Sequence, residues 1–295
     1  MITALIGIII LLHIFSATIL ARDLRANWPR LLNEPGRLCI QAPVSFILNF
    51  LSGFGVSDFA ICTALYHKTG WAEPRKLPGT LNTQSALPVL VFSIAYLKSV
   101  QIDISTLLPL LAVDVLGAFL APRLAISLPL RRIRQILACG LFFAGFAILG
   151  TKLGIFQMGG LDMSLRGLKL AAGMVCFFLI GALKALGVAS YPLTMTATFF
   201  LGLHPLLSYP LMMGGGALAA PLVLARYVKL DCYMRKMTLL GSTVGVAGGA
   251  IAVFIVRSLD ISLLQWLVVA VVFYAGTDML LALRQKPPKG QNLPV

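Results

Sequence analysis

Asp58, Asp114 and Asp278 lie within stretches too apolar for a free charge. An ionised side chain at the centre of a spanning helix costs about 2.5–3.5 kcal/mol on insertion scales, so each carboxylate reads as a proton carrier or as half of a polar pair. Asp58 directly follows Gly55-Val56-Ser57, where a helix break would free backbone amides. It suits a cap on the next half-helix, or a carboxyl that couples transport to protons. Asp114 and Asp278 read as inter-helix hydrogen-bonding partners or protonated structural carboxyls. Lys184, near a span end, reads as snorkelling towards headgroups or as positive potential for an anion site. His13 and His204 lack ligand-like companions, and Cys39, Cys62, Cys139, Cys176 and Cys232 have neither CxxC spacing nor histidine partners. The cysteines read as small buried apolar groups, and no metal or other cofactor is expected. A membrane enzyme would need a His-rich, paired-Asp or Ser/His/Asp set, and the sequence offers none, so catalysis is not expected.

The elements that must hold these residues are membrane helices. Hydrophobic residues make up 59% of the 295-residue chain and charged residues only 12%, against about 25% charged in a soluble domain. The 24 Lys and Arg outnumber the 10 Asp and Glu, but they cluster between apolar runs, as helix-flanking anchors do, and no nucleic-acid surface is expected. About 20 apolar residues cross a bilayer as a helix. Runs near 1–20, 38–66, 84–98, 104–122, 135–151, 168–185, 187–203, 205–225, 237–256 and 262–283 are therefore the expected spans. The first lacks a basic leader and reads as a retained helix, and 22–37, with Trp28, Pro29 and its arginines, as an interfacial segment. Lys and Arg are more numerous on the side that would carry both termini, which places that side in the cytoplasm.

The spans repeat. From Gly55-Val56 onward the sequence falls into step with Gly187-Val188 at an offset of about 131 residues: Pro88 with Pro221, Tyr96 with Tyr227, Gly117 with Gly249, Ser127 with Ser258. The expected fold is an all-α polytopic membrane protein of two inverted repeats, each of about five segments with a broken or re-entrant helix. Residues 1–151 form the first repeat, 152–284 the second and 285–295 a cytoplasmic tail. Pro78-Gly79-Thr80-Leu81-Asn82-Thr83-Gln84-Ser85 and its counterpart, Leu211 to Ala217 with Gly214, bring amides and small side chains to the start or interior of a helix. Freed amides and the helix dipole bind anions without a buried cation. Gly55, Ser57, Thr80, Asn82, Gly187, Ser190, Thr194 and Gly214 are the expected substrate contacts, five of them (Ser57, Thr80, Asn82, Ser190 and Thr194) around one polar cavity, and Asp58 is the coupling candidate. Gly241, Gly245 and Gly249 form successive GxxxG steps, read first as internal helix packing and second as a homodimer face.

Gly55-Val-Ser-Asp-Phe59, Leu77-Pro-Gly-Thr-Leu-Asn82, Gly187-Val-Ala-Ser-Tyr-Pro-Leu-Thr-Met-Thr196, Leu201-Gly-Leu-His-Pro205 and Tyr209-Pro-Leu-Met-Met-Gly-Gly215 resemble the sulfite exporter TauE/SafE family, also called the four-toluene-sulfonate-uptake permeases. The resemblance runs from about residue 40 to 284, with the motifs in order. It implies a secondary transporter of the bacterial cytoplasmic membrane, carrying sulfite or an organosulfonate. The family's glycine triplet and proline are replaced here by Ser57-Asp58-Phe59 and Ala189-Ser190-Tyr191, with Pro192 kept. An aspartate there repels a dianion unless protonated, which favours proton coupling or a monoanion. A carrier of small carboxylates or other organic anions is the alternative, and a membrane scaffold or sensor the next. The expected partners are the bilayer and a small anion.

Overall fold

The computed structural model describes residues 2–54, 58–73, 76–99, 102–124, 160, 162–185 and 190–258, with scattered positions between 142 and 153 and between 266 and 281. The elements are helical throughout: α1 (Ile2–Ala26), α2 (Trp28–Leu32), α3 (Leu38–Gly53), α4 (Asp58–Thr69), α5 (Leu77–Gln84), α6 (Ala86–Ser99), α7 (Ile104–Leu124), α8 (Gly167–Ala185), α9 (Tyr191–Phe200), a 3-10 turn (Pro205–Leu207), α10 (Ser208–Lys229), α11 (Arg235–Leu240), a π turn (Gly241–Gly245) and α12 (Val246–Ser258). Ile2–Ala26, Gly167–Lys184, Pro205–Lys229 and Arg235–Ile255 are long and apolar enough to cross a membrane. Leu38–Gly53, Ala86–Lys98 and Ile104–Leu120 are shorter apolar stretches.

Local chemistry sets the ends. Pro29, Pro78 and Pro192 sit in the first turns of α2, α5 and α9, where a missing N–H costs nothing. Asp103 accepts the Ser105 amide at 3.0 Å and opens α7; that hydrogen bond holds its carboxyl below the usual range. α1 runs on through Arg22–Ala26, which the sequence reading gave to an interfacial segment. The single run expected over 38–66 divides into α3 and α4, and the expected spans 135–151 and 262–283 fall mostly outside the described residues.

Helices from the two halves pack against each other in a reciprocal pattern. On α7, Gly117 lies so close to the Phe178 carbonyl of α8 that a β-carbon would overlap it, and Gly181 of α8 stands likewise against the Asp114 carbonyl. Against α3, Gly248 of α12 lies on the Phe46 carbonyl and Gly245 of the π turn on the Asn49 side chain. Phe46 and Phe178 are 132 positions apart, and Gly117 and Gly248 are 131 apart. The same glycine-on-carbonyl contact is thus made twice, with the halves exchanging roles. α6 and α10 also meet: Val89 touches Gly216, while the Tyr96 and Tyr209 rings stand 4.9 Å apart. These pairings advance in opposite senses, so the two helices run antiparallel. A buried apolar core joins α1, α6, α7, α8 and α10.

Candidate functional site

Polar groups collect where α3 stops. Its last carbonyls are not left open: Tyr96 of α6 donates to the Gly53 carbonyl at 2.9 Å, and Tyr209 of α10 to that of Phe54 at 3.4 Å. Asp58 begins α4, fully within the protein. Its carboxylate accepts from the Ser85 hydroxyl, at the joint of α5 and α6, and from Ser52 Oγ of α3 at 3.5 Å. The amides of Asp58 itself and Phe59 also point to it, which makes it a cap on α4. Tyr191, the first residue of α9, lies beside the same serine. The starts of α4 and α9 therefore come together at Ser52, although Gly55, Ser57 and Gly187 themselves lie outside the described residues.

One and two turns further along α4 the polar line continues. Gln84 donates to Cys62 Sγ at 3.2 Å, and Tyr66 donates to Gln84 Oε1 at 2.8 Å. Asp58, Cys62 and Tyr66 recur every four residues and so share one helix face, directed at the end of α5. Cys62 and Tyr66 are both buried.

The remaining expected contacts have separate partners. Thr80 donates to the Lys76 carbonyl at 2.8 Å and accepts the Met234 amide at 2.9 Å, tying α5 to the start of α11. Thr83 shares a 2.6 Å hydrogen bond with Thr238 on the same joint. Asn82 is half-buried on α5. Ser190 offers its carbonyl to the Thr194 hydroxyl at 3.1 Å, and Thr198 pairs with Ser208 at 2.5 Å. Gly214 sits inside α10, where a β-carbon would touch Leu111 at 3.3 Å. Its amide belongs to the helix ladder rather than to a helix start. His204 accepts the Leu206 amide through Nδ1 at 3.2 Å, and burial lowers its pKa.

A second buried centre lies between α7, α8 and α10. Lys184 donates to Asp114 Oδ2 at 2.5 Å, with side chains only 13% and 5% exposed. Gly215 of α10 makes room for that carboxylate, since a β-carbon there would overlap Oδ2. Asp114 therefore has the inter-helix role read from the sequence, whereas Lys184 turns inward rather than towards headgroups. Asp278 lies outside the described residues.

A third cluster escaped the sequence reading. Arg235 grips Asp23 through Nε at 2.7 Å and Nη2 at 3.2 Å, and reaches Asp231 at 2.5 Å. Glu34 accepts the amides of Arg235 and Lys236 at 2.9 and 2.7 Å, a carboxylate on the N-terminus of α11. Lys236 Nζ donates to the carbonyls of Glu34 and Gly36, the latter at 3.2 Å, and Gly36 has φ +92°, which favours glycine. Tyr233 donates to Asp23, and burial together with that neighbour pushes its phenol up. The available signal was the presence of scarce acidic residues, Asp23 and Glu34, in a basic stretch.

No family model, curated protein or solved structure matches this chain.

Proposed function

We propose that the chain is a secondary transporter of a small sulfur-containing anion, sulfite or an organosulfonate, built from two inverted repeats in a bacterial cytoplasmic membrane and coupled to protons through Asp58. The carrying observation is the reciprocal packing of the halves. α3 meets α12 and α7 meets α8 through matching glycine–carbonyl contacts, while the corresponding helices α6 and α10 run antiparallel. A two-fold axis in the membrane plane relates helices in this manner, and alternating access proceeds by rocking one such repeat against the other. Membrane residence is supported by Leu11, Phe119 and Phe254, large apolar side chains turned outward on α1, α7 and α12. The convergence of Asp58, Ser52 and Tyr191 supports a site between the two breaks.

Reconstitution tests the proposal. Proteoliposomes should take up sulfite or an organosulfonate in preference to simple carboxylates, and a pH gradient should drive that flux. Asp58→Asn keeps size and capping ability but cannot titrate, so it should retain binding and lose the response to the gradient. Flux of carboxylates alone would replace the substrate class, and unchanged gradient dependence in Asp58→Asn would remove the coupling role.

A further inference from the structure

From the buried pair at the end of α8 we infer that Lys184 is the cationic seat for the transported anion, and that Asp114 is a tethered carboxylate occupying this seat when the ligand is absent. This rests on the anion-transport reading above and adds the residue that meets the substrate's charge. Lys184 is the last charged residue before the second break, two residues short of the undescribed stretch 186–189, beyond which lies Ser190 of the repeated motif. Its ammonium is held by one carboxylate oxygen at 2.5 Å and is nearly enclosed. The wall opposite is glycine: Gly215 leaves the space that Oδ2 fills, and Gly181 brings the α8 backbone against Asp114. A sulfonate or sulfite oxygen has the same demand as Oδ2, a full negative charge beside an ammonium in a small space bounded by backbone.

The pair also has the right energetics for a replaceable occupant. Neither a buried ammonium nor a buried carboxylate can stand alone, so an anionic ligand can enter only as the Asp114 carboxylate leaves the ammonium and takes up a proton from water. A purely structural tie would gain as much from an apolar pair of similar volume, without needing the glycine-lined space. Competition by a tethered group weakens the apparent affinity by the fraction of time the seat is free. A buried pair held this closely is open only a small fraction of the time, so removing the carboxylate should reveal binding tighter by about tenfold or more.

Methanesulfonate is the probe, because its charge is fixed across the working pH range. Its dissociation constant would be read by thermal stabilisation of purified protein in detergent, with chloride at equal ionic strength as the control. Asp114→Asn should bind it more tightly than the native protein by about tenfold or more, and Asp114→Ser should do the same if the Asn variant does not fold. Lys184→Met and the double variant Asp114→Asn/Lys184→Met should not bind it; the double variant, having no unpaired charge, shows that loss of binding is not loss of folding. Unchanged or weaker binding in both Asp114 variants, or native binding by Lys184→Met, would overturn the seat. Native flux in liposomes reads the transport proposal separately: flux without any gain in the Asp114 variants removes the seat alone, and a gain without native flux removes the transport reading alone.

Discussion

Asp58 and Asp114 are equally buried, 2% and 3% exposed, yet they are held by different chemistry. Asp114 faces an ammonium, and the pair is neutral as a unit. Asp58 faces the hydroxyls of Ser52 and Ser85, which supply hydrogen bonds but no charge. A carboxylate among hydroxyls remains a net charge in a low dielectric unless it takes a proton, whereas one beside an ammonium does not need to. The comparison assigns the two residues different work: one can titrate without leaving a partner stranded, and the other can exchange partners but resists losing one.

Breaking the pair should give the largest effect. Lys184→Met strands a buried carboxylate and Asp114→Asn strands a buried ammonium, so each should cost about 3–5 kcal/mol, read from denaturation in micelles. Replacing both together should recover most of that loss; an additive double variant would mean that the two side chains do not interact. A hydroxyl donor to a charged group is worth less, and Ser85→Ala should cost about 1.5–3 kcal/mol. Gly215→Ala should cost about 1–3 kcal/mol through overlap with the Asp114 carboxyl, and nearly all of that should vanish when Asp114 is Ala. Asp58→Asn should be mildest, about 1 kcal/mol or less, because Asn caps a helix about as well as Asp. If Asp58→Asn proves as damaging as Asp114→Asn, the distinction between the two centres fails.

Much of this was legible in the sequence because hydropathy and glycine are one-dimensional signals. The boundaries of α7, α8 and α10 fall within a few residues of the apolar runs, and the run 237–256 is filled by α11, the π turn and α12 together. The break between α3 and α4 lies where Ser52-Gly53-Phe54-Gly55 lowers helix propensity. The packing role of Gly241, Gly245 and Gly249 is internal, against Gln84, Asn49 and Phe92. Side-chain direction was not legible. Lys184 lies near a helix end, where snorkelling is the default, and only the position of Asp114 on a neighbouring helix turns it inward. Thr80 sits in a motif that reads as ligand-binding, but its hydroxyl is engaged by the Met234 amide, 154 positions away. Pairings across such separations leave no periodic trace in the chain.

The Glu34 carboxylate and the amides it receives are 201 and 202 positions apart. During synthesis at about 5–20 residues per second, Asp23 and Glu34 emerge long before Arg235 and Lys236 and must wait in water or among headgroups. These acidic residues can pair only once α11 has been made, so the N-terminal segment acts as a clasp on α11. Chains truncated ahead of Arg235 should leave the clasp open and present a distinct substrate to membrane quality-control proteases.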